Sequence, residues 1–426
     1  MNIAFDASDL CTGRADGTTR YTGELVKRLP GLAKDDSWGF YGPCIAPSPH
    51  PNPLPVRGEG IATWHASPFP FAWTQTRFAY ELFKNKPDVL FMPIQQLPIF
   101  RPRKTKTVAV IHDLAFHEFP QQFRYKDWLL LHTFSAQVAN EADAIIAVSQ
   151  ATKDDIKKYY GREHNVYVVH HGIDHTRFKV FSDTEKQDGL QKLQEKYPQI
   201  KTPYILFVGQ IQPRKNIERL VEAFEKLSAD FLPSYEGRRP ACRTGRGGVE
   251  GDERTPSRLP AGQAGSPLSK GEKYQLVIAG GHGWNNEEIY KRIAQSPARK
   301  DIVVTSAVPD ELLPVLYANA EVFVLPSLQE GFGIPLIEAA ACGVPLVTSN
   351  RSSMKEIADG VGVLVDPYNI NSIAEGMQEA LTHRSEYSAK SVTLAQKFSW
   401  DITAQKTLRV LKEVYPEHGR KGVANI

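Results

Sequence analysis

The sequence predicts an α/β protein built as two doubly wound parallel-sheet lobes that face each other across a cleft. Three observations carry this reading. Short apolar runs suited to buried strands alternate with helical patterns along most of the 426 residues. They fall into two series, separated by the polar stretch 181–201. The Gly, cationic, carboxylate and His residues gather at the ends of these runs, where open parallel sheets bind their ligands.

In chain order, the first series has strand-type runs at 2–7, 38–42, 88–92, 107–111, 144–148 and 166–169. The second has them at 204–208, 275–279, 302–305, 322–325, 345–348 and 361–365. The expected organisation is a first lobe over 1–190, a second over 191–399, and a last segment, 400–426, with a helical pattern over 400–414.

Two stretches break the rhythm. Residues 232–271 hold eight Gly, five Pro and six Arg with few large apolar side chains, so they are expected to be a disordered insertion. Residues 46–60 form a smaller Pro-rich insertion, and a Pro-Leu/Gly-Glu flavour shared with 266–272 argues for a common origin.

Composition excludes several classes. A net charge of +3, from 51 Lys and Arg against 48 Asp and Glu, is too small to argue for nucleic acid. The four cysteines, Cys11, Cys44, Cys242 and Cys342, lack metal-ligand spacing and indicate neither a zinc site nor a disulfide framework, so a reducing cytoplasm is the expected compartment. Asp6 and Asp9 interrupt the position of a secretory signal, and no apolar run approaches the roughly 18 residues needed to span a bilayer. The mixed aromatic and basic stretches 69–84 and 119–132 are candidates for contact with an acceptor or, peripherally, with a membrane surface, against the alternative of core helices with a wet edge.

The chemistry concentrates in 325–339. A buried-type strand runs into Glu330-Gly331-Phe332-Gly333-Ile334-Pro335, and Pro335 begins a helix that carries Glu338 in its first turn. Both carboxylates thus flank a helix N-terminus, where the amides of Gly331, Phe332 and Gly333 offer donors for an anion. A second junction places Arg214 and Lys215 after the strand ending at Gly209; a guanidinium fork beside a compact ammonium suits a diphosphate. Gly280 ends a third strand, and His112-Asp113 ends a fourth.

These residues resemble the retaining nucleotide-sugar glycosyltransferases of family four, the glycosyl transferases of group 1, which have two Rossmann-like lobes in the GT-B fold. Glu330 and Glu338, with seven residues between them, are similar to that family's Glu-x7-Glu motif, Arg214 and Lys215 to its diphosphate-binding pair, and His112 to its active-site His. The resemblance implies a catalytic set of His112, Glu330, Arg214 and Lys215. It implies a donor set of Gly13, Gly17, Gly209, Arg214, Lys215, Gly280, Glu330, Gly331, Phe332, Gly333, Ile334 and Glu338. Within it Glu330 orients the sugar hydroxyls and Glu338 holds the ribose; the resemblance further implies that the first lobe serves the acceptor, that the second holds the donor, and that the segment 400–426 packs back on the first lobe. The loop holding Gly13 and Gly17 departs from the family's compact Gly-Gly turn. His170-His171-Gly172-Ile173-Asp174 replaces a common Pro-Asn-Gly-Ile-Asp and is read as structural.

The implied activity is metal-independent transfer of a sugar, mannose by similarity to bacterial cell-surface enzymes, from a nucleoside-diphosphate sugar to a glycan or lipid-linked acceptor. The nucleotide sugar is a co-substrate, and no cofactor or metal is implied. Fold does not fix function. An epimerase would consume donor without acceptor, a phosphorylase would need a pyridoxal-binding Lys, and a non-catalytic partner protein would bind nucleotide sugar without turnover.

Overall fold

A computed structural model describes residues 1–13, 16–44, 61–66, 72–231 and 273–415. The two insertions, 46–60 and 232–271, lie outside the described residues, apart from the strand bordering the first of them.

The first lobe is a seven-stranded sheet of β1 (Asn2–Asp6), β2 (Ser37–Gly42), β3 (Ile61–Ala66), β4 (Val89–Met92), β5 (Lys106–Ile111), β6 (Ala144–Ala147) and β7 (Val166–Val168), in the order β3-β2-β1-β4-β5-β6-β7. The second has β8 (Tyr204–Val208), β9 (Gln275–Ala279), β10 (Ile302–Thr305), β11 (Val322–Leu325), β12 (Leu346–Ser349) and β13 (Val363–Val365), in the order β10-β9-β8-β11-β12-β13. Among the described residues every strand pairing is parallel. In each sheet the order reverses beside the first strand of the lobe, so each lobe has a switch point there.

Strands covered on both faces read as continuous apolar runs rather than alternations. Ile205, Leu206 and Phe207 of β8 and Val322, Phe323, Val324 and Leu325 of β11 are fully buried, each contributing about 1.5–3 kcal/mol of hydrophobic stabilisation. The sequence reading misses β3, whose Ile-Ala-Thr-Trp-His-Ala lacks such a run; it is an edge strand that borrows its register from β2, Ser37 to Ile61 through Gly42 to Ala66. The strand expected from 361 begins at Val363, because the amides of Val361 and Gly362 both donate to the Ala358 carbonyl and complete the turn that ends the helix Ser352–Ala358.

Inside the stretch 181–201 lies a helix, Asp183–Lys196, closed by a capping box in which Ser182 and Glu185 bond reciprocally. Its Gly189 faces Val315 of the second lobe so closely that a Cβ there would lie 2.8 Å from Val315 Cγ1. The helix Trp400–Val414 lies on the first lobe: Arg28 bonds Asp401 at 2.7 Å, Tyr167 bonds Glu413 at 2.8 Å, and Thr403 donates to the His170 carbonyl at 2.8 Å.

The cysteine reading needs correction. Cys11 and Cys44 are joined in a disulfide. They follow the neighbouring strands β1 and β2, whose parallel pairing brings the two strand-end loops together although 33 positions separate them in sequence. No spacing rule exposes such a pair. Cys342 is free and buried. Among the described residues no helix is long and apolar enough to cross a membrane.

Candidate functional site

The carboxyl ends of β8 and β11 build the basic and acidic centre. After β8, the chain makes a short 3-10 turn, Pro213–Lys215, ended by Asn216 at φ 60°. The Asn216 amide donates to the carbonyls of Pro326 (3.0 Å) and Pro367 (2.7 Å), tying this turn to the loop after β11. Lys215 Nζ thereby lies 2.5 Å from Glu330 Oε1, and Arg214 Nη1 lies 3.5 Å from Glu330 Oε2 while donating to the Gln329 carbonyl at 2.7 Å. Burial pushes the Glu330 carboxyl up, but Lys215 and Arg214 outweigh it and hold the group below its ordinary value, ionised at neutral pH.

Glu338 sits on the helix Ile334–Ala341, which starts at Gly333 (φ 96°) with Pro335 in its first turn. The carboxylate is 2 % exposed. Tyr317 donates its phenol to Oε2 at 2.9 Å, and Arg20 of the first lobe bonds Oε1. Burial raises the Glu338 carboxyl above its usual value against the opposing pull of Arg20 and Tyr317.

The first lobe closes over this centre. A Cβ on Gly331 would lie 1.8 Å from the His112 carbonyl oxygen, so only glycine permits the approach of the two chains. The Gly331 carbonyl in turn accepts from Ser149 Oγ (2.6 Å) and Thr152 Oγ1 (3.2 Å). Asp113 Oδ2 is 3.8 Å from Arg214 Nη1, and Gln329 donates to Asp155 at 3.1 Å. At the outer edge Glu356 of the second lobe accepts the amides of Gln150 (3.0 Å) and Ala151 (3.1 Å), the start of the helix Gln150–Tyr160, and pairs with His170 at 2.8 Å.

His112 donates from Nε2 to the Pro93 carbonyl at 2.7 Å, a bond that leaves Nδ1 as the acceptor nitrogen of the neutral ring. Burial lowers its pKa, more than the Pro93 bond and Asp113 raise it. The Pro93 carbonyl therefore orients this imidazole; Asp113 accepts the Ala115 amide and turns its other oxygen toward Arg214.

The remaining candidates divide. Gly17 meets the helix Ile334–Ala341 directly, with a Cβ there 3.2 Å from Ile334 Cδ1, whereas Gly13 (φ 67°) has no neighbour among the described residues within 4 Å of such an atom. Gly209 and Gly280 lie back to back: a Cβ on Gly280 would stand 1.8 Å from the Gly209 carbonyl, so this pair lets the loops after β8 and β9 run side by side. The Phe332 ring turns away from the basic pair and stacks on His171 (centroids 5.2 Å apart), beside Tyr21, Trp400 and Phe398. His171 is buried, with no hydrogen-bond partner for Nδ1 among the described residues, and burial next to His112 and His170 drives its pKa well down.

Sequence reasoning passes over Arg20, Tyr317 and Asn216. Arg20 and Tyr317 lie far from the Glu-x7-Glu segment in sequence, and their roles emerge only when the first lobe and the helix Leu313–Ala318 pack against it. Asn216 stands beside the basic pair, but only a left-handed φ reveals it as the tie between two loops.

Two parallel-sheet lobes meeting over carboxylates, a basic pair and a helix start at the strand ends define a GT-B glycosyltransferase architecture. The chain belongs to the glycosyltransferases of group 1, family-four type. The family model for Glycosyltransferase Family 4 matches residues 15–177, and that for glycosyl transferases group 1 matches residues 263–397. The O-antigen chain mannosyltransferase B of Escherichia coli is 25 % identical over 315 residues, spanning 73 % of this chain and 71 % of that protein. Among solved structures, sucrose-phosphate synthase from Thermosynechococcus elongatus superposes with a TM-score of 0.67 at 17 % identity, covering 97 % of this chain and 99 % of the other. The Anabaena protein HepE, solved in complex with UDP-glucose, does so with a TM-score of 0.63 at 15 % identity, covering 97 % and 100 %.

Proposed function

We propose that this transferase moves a hexose, with mannose the favoured sugar, from a nucleoside-diphosphate sugar to an acceptor hydroxyl, with retention at the anomeric carbon and without a metal. The observation that carries the reading is the convergence of Arg214 and Lys215 on Glu330 beside a helix start, with the His112 backbone meeting the next residue, Gly331, from the other lobe. Mannose, and a place in bacterial cell-surface polysaccharide or glycolipid synthesis, are supported by the likeness to the O-antigen mannosyltransferase.

In this mechanism the donor's diphosphate lies against Arg214, Lys215 and the amides after Glu330. As the bond from the anomeric carbon to the phosphate oxygen breaks, its electron pair stays on the phosphate, and the basic pair stabilises that charge by preorganised electrostatics. The acceptor oxygen bonds to the same face of the carbon, and its proton passes to the departing phosphate oxygen. Glu330 orients the sugar hydroxyls and Glu338 accepts the ribose hydroxyls. His112, neutral and with Nδ1 as its acceptor nitrogen, accepts a hydrogen bond from the sugar near the reacting carbon.

The first lobe exposes Tyr80, Phe83, Ile99 and Phe100, with Lys84, Arg103 and Lys104 close in sequence. Gln75 ties two of these segments together, donating to the Leu97 carbonyl and accepting from the Ile99 amide. Apolar side chains mixed with cations suit an anionic bilayer interface, and we assign this face to contact with the cytoplasmic side of a membrane carrying a lipid-linked acceptor.

The test is a thermal-shift screen of the purified protein against nucleoside diphosphates and their sugars in chelator, beside an Arg214→Ala, Lys215→Ala double variant. A selective shift absent from the double variant supports the site and names the base; no shift with any nucleotide sinks it. NMR of the product's anomeric configuration then decides retention.

A further inference from the structure

Arg20 belongs to the first lobe yet its guanidinium occupies the cleft side of Glu338. The helix Gly17–Leu32 that carries it starts at Asp16, whose carboxylate accepts the Thr19 amide at 2.9 Å. That helix start abuts Ile334 at the start of the donor helix, and one turn on Arg20 spans the gap. Nη1 bonds Glu338 Oε1 and Nη2 lies 3.3 Å from Asp310 Oδ1. Arg177 reinforces the corner, donating to the Asp310 carbonyl at 2.8 Å with its other nitrogen 3.5 Å from Oδ2. Glu338 is therefore satisfied on both oxygens, by Arg20 and by Tyr317, before any ligand arrives.

The two ends of this bridge differ in a way that matters. The Glu338 side chain is 3 % exposed, whereas Arg20 is 23 % and Asp310 54 % exposed. Arg20 can release both acids and swing outward into water without stranding a charge, but Glu338 cannot leave its buried seat, and an unpaired carboxylate there is costly. Any group that displaces Arg20 must supply hydrogen-bond donors of its own to Glu338. A vicinal diol is such a group.

We infer that Arg20 is an interlobe latch: it closes the first lobe onto Glu338 in the free protein and is exchanged for the ribose diol when the donor binds. This rests on the reading of Glu338 as the ribose acid. Contact of the ribose diol with Glu338 and the Arg20–Glu338 bond are then mutually exclusive, so part of a ribonucleotide's intrinsic affinity is used to open the latch, whereas a nucleotide without both ribose hydroxyls leaves the guanidinium in place.

Calorimetric titration of the full chain tests this with GDP, UDP and ADP and with the 2′,3′-dideoxy form of whichever binds. Arg20→Met is expected to bind the ribonucleotide about 10-fold tighter than the parent, the factor lost when the competent state is populated about one time in ten. The dideoxy form is expected to gain nothing. Unchanged affinity in Arg20→Met overturns the latch, and weaker affinity overturns it in favour of Arg20 as a direct nucleotide ligand. Binding by neither protein to any nucleotide overturns the donor reading itself. Asp310→Asn guards against a folding defect in Arg20→Met: on the exposed side of the bridge, it is expected to tighten binding by a smaller factor in the same direction.

Discussion

Lys215 Nζ stands 2.5 Å from Glu330 Oε1, with both side chains almost wholly buried. Removing one partner of such a pair strands the other charge and costs about 3–5 kcal/mol. Lys215→Met is expected near the lower end, because Arg214 still lies 3.5 Å from the carboxylate. Adding Glu330→Gln should restore most of the loss, since no buried carboxylate remains unpaired. Urea denaturation of the two variants checks this, and a single variant as stable as the parent would refute it. Because Glu330 is held below its ordinary value, the stability from the pair is present above the unfolded carboxyl's pKa and is lost as pH falls through the lowered folded one.

Gly331→Ala tests the approach of the lobes. A Cβ 1.8 Å from the His112 carbonyl cannot be accommodated without moving one chain by more than an ångström. A misplacement of that size in a reacting site costs on the order of 100-fold in rate. Transfer activity is expected to fall by about that factor, while circular dichroism shows both lobes folded. Activity within a few-fold of the parent would show that catalysis does not need this contact.

Asp155 accepts from Gln329 across the cleft, and burial, with Glu118 and Asp113 adding to it against Lys158 and Gln329, pushes its carboxyl up to about 6. An acid raised on folding has its charged form disfavoured in the native state. The penalty therefore begins above the unfolded carboxyl value near 4 and is complete above about 6. Asp155→Asn is expected to stabilise the protein by about 1–2 kcal/mol at pH 7.5, after allowing for partial solvent screening, and by nothing at pH 4. Melting curves at the two pH values decide it; an equal effect at both would show that the gain is not electrostatic.

The Cys11–Cys44 bridge closes a loop between positions 33 apart in sequence. Loop-closure entropy makes such a bond worth about 2–4 kcal/mol. The Cys11→Ser, Cys44→Ser variant is expected to unfold at lower denaturant by that amount relative to the oxidised parent and to match the parent in dithiothreitol. Alkylation and mass spectrometry of protein quenched directly from cells reports whether the pair is bridged there, since a reducing compartment would keep it open.

Much of this architecture was legible because a parallel sheet covered on both faces writes each strand as an apolar run. β8, β9, β10 and β11 are all such runs, and their bounds coincide with those expected. β3 was not, because an edge strand holding Trp64 and His65 has no uniform apolar face to betray it. The acidic and basic residues of the site were legible for a different reason, since motif spacing put them at strand ends. Their partners were not. Arg20 is 318 positions from Glu338, and nothing local marks a surface arginine that will end beside a buried acid. Cys11 and Cys44 were missed for the same reason: sequence distance conceals what strand pairing brings together.

The Glu356 carboxylate receives the first two amides of the helix Gln150–Tyr160, although carboxylate and helix belong to different lobes. A negative group at that position completes the helix's exposed amide end and opposes its dipole. One lobe thus carries the stopper for an element of the other. Drawing the lobes apart frees these two amides at the same moment that it opens the cleft, although Ser149 still caps the Thr152 amide from within the first lobe, and closing them covers the amides again. A distant substitution that frays Gln150–Tyr160 would then loosen the grip of the lobes without touching a single residue that contacts substrate.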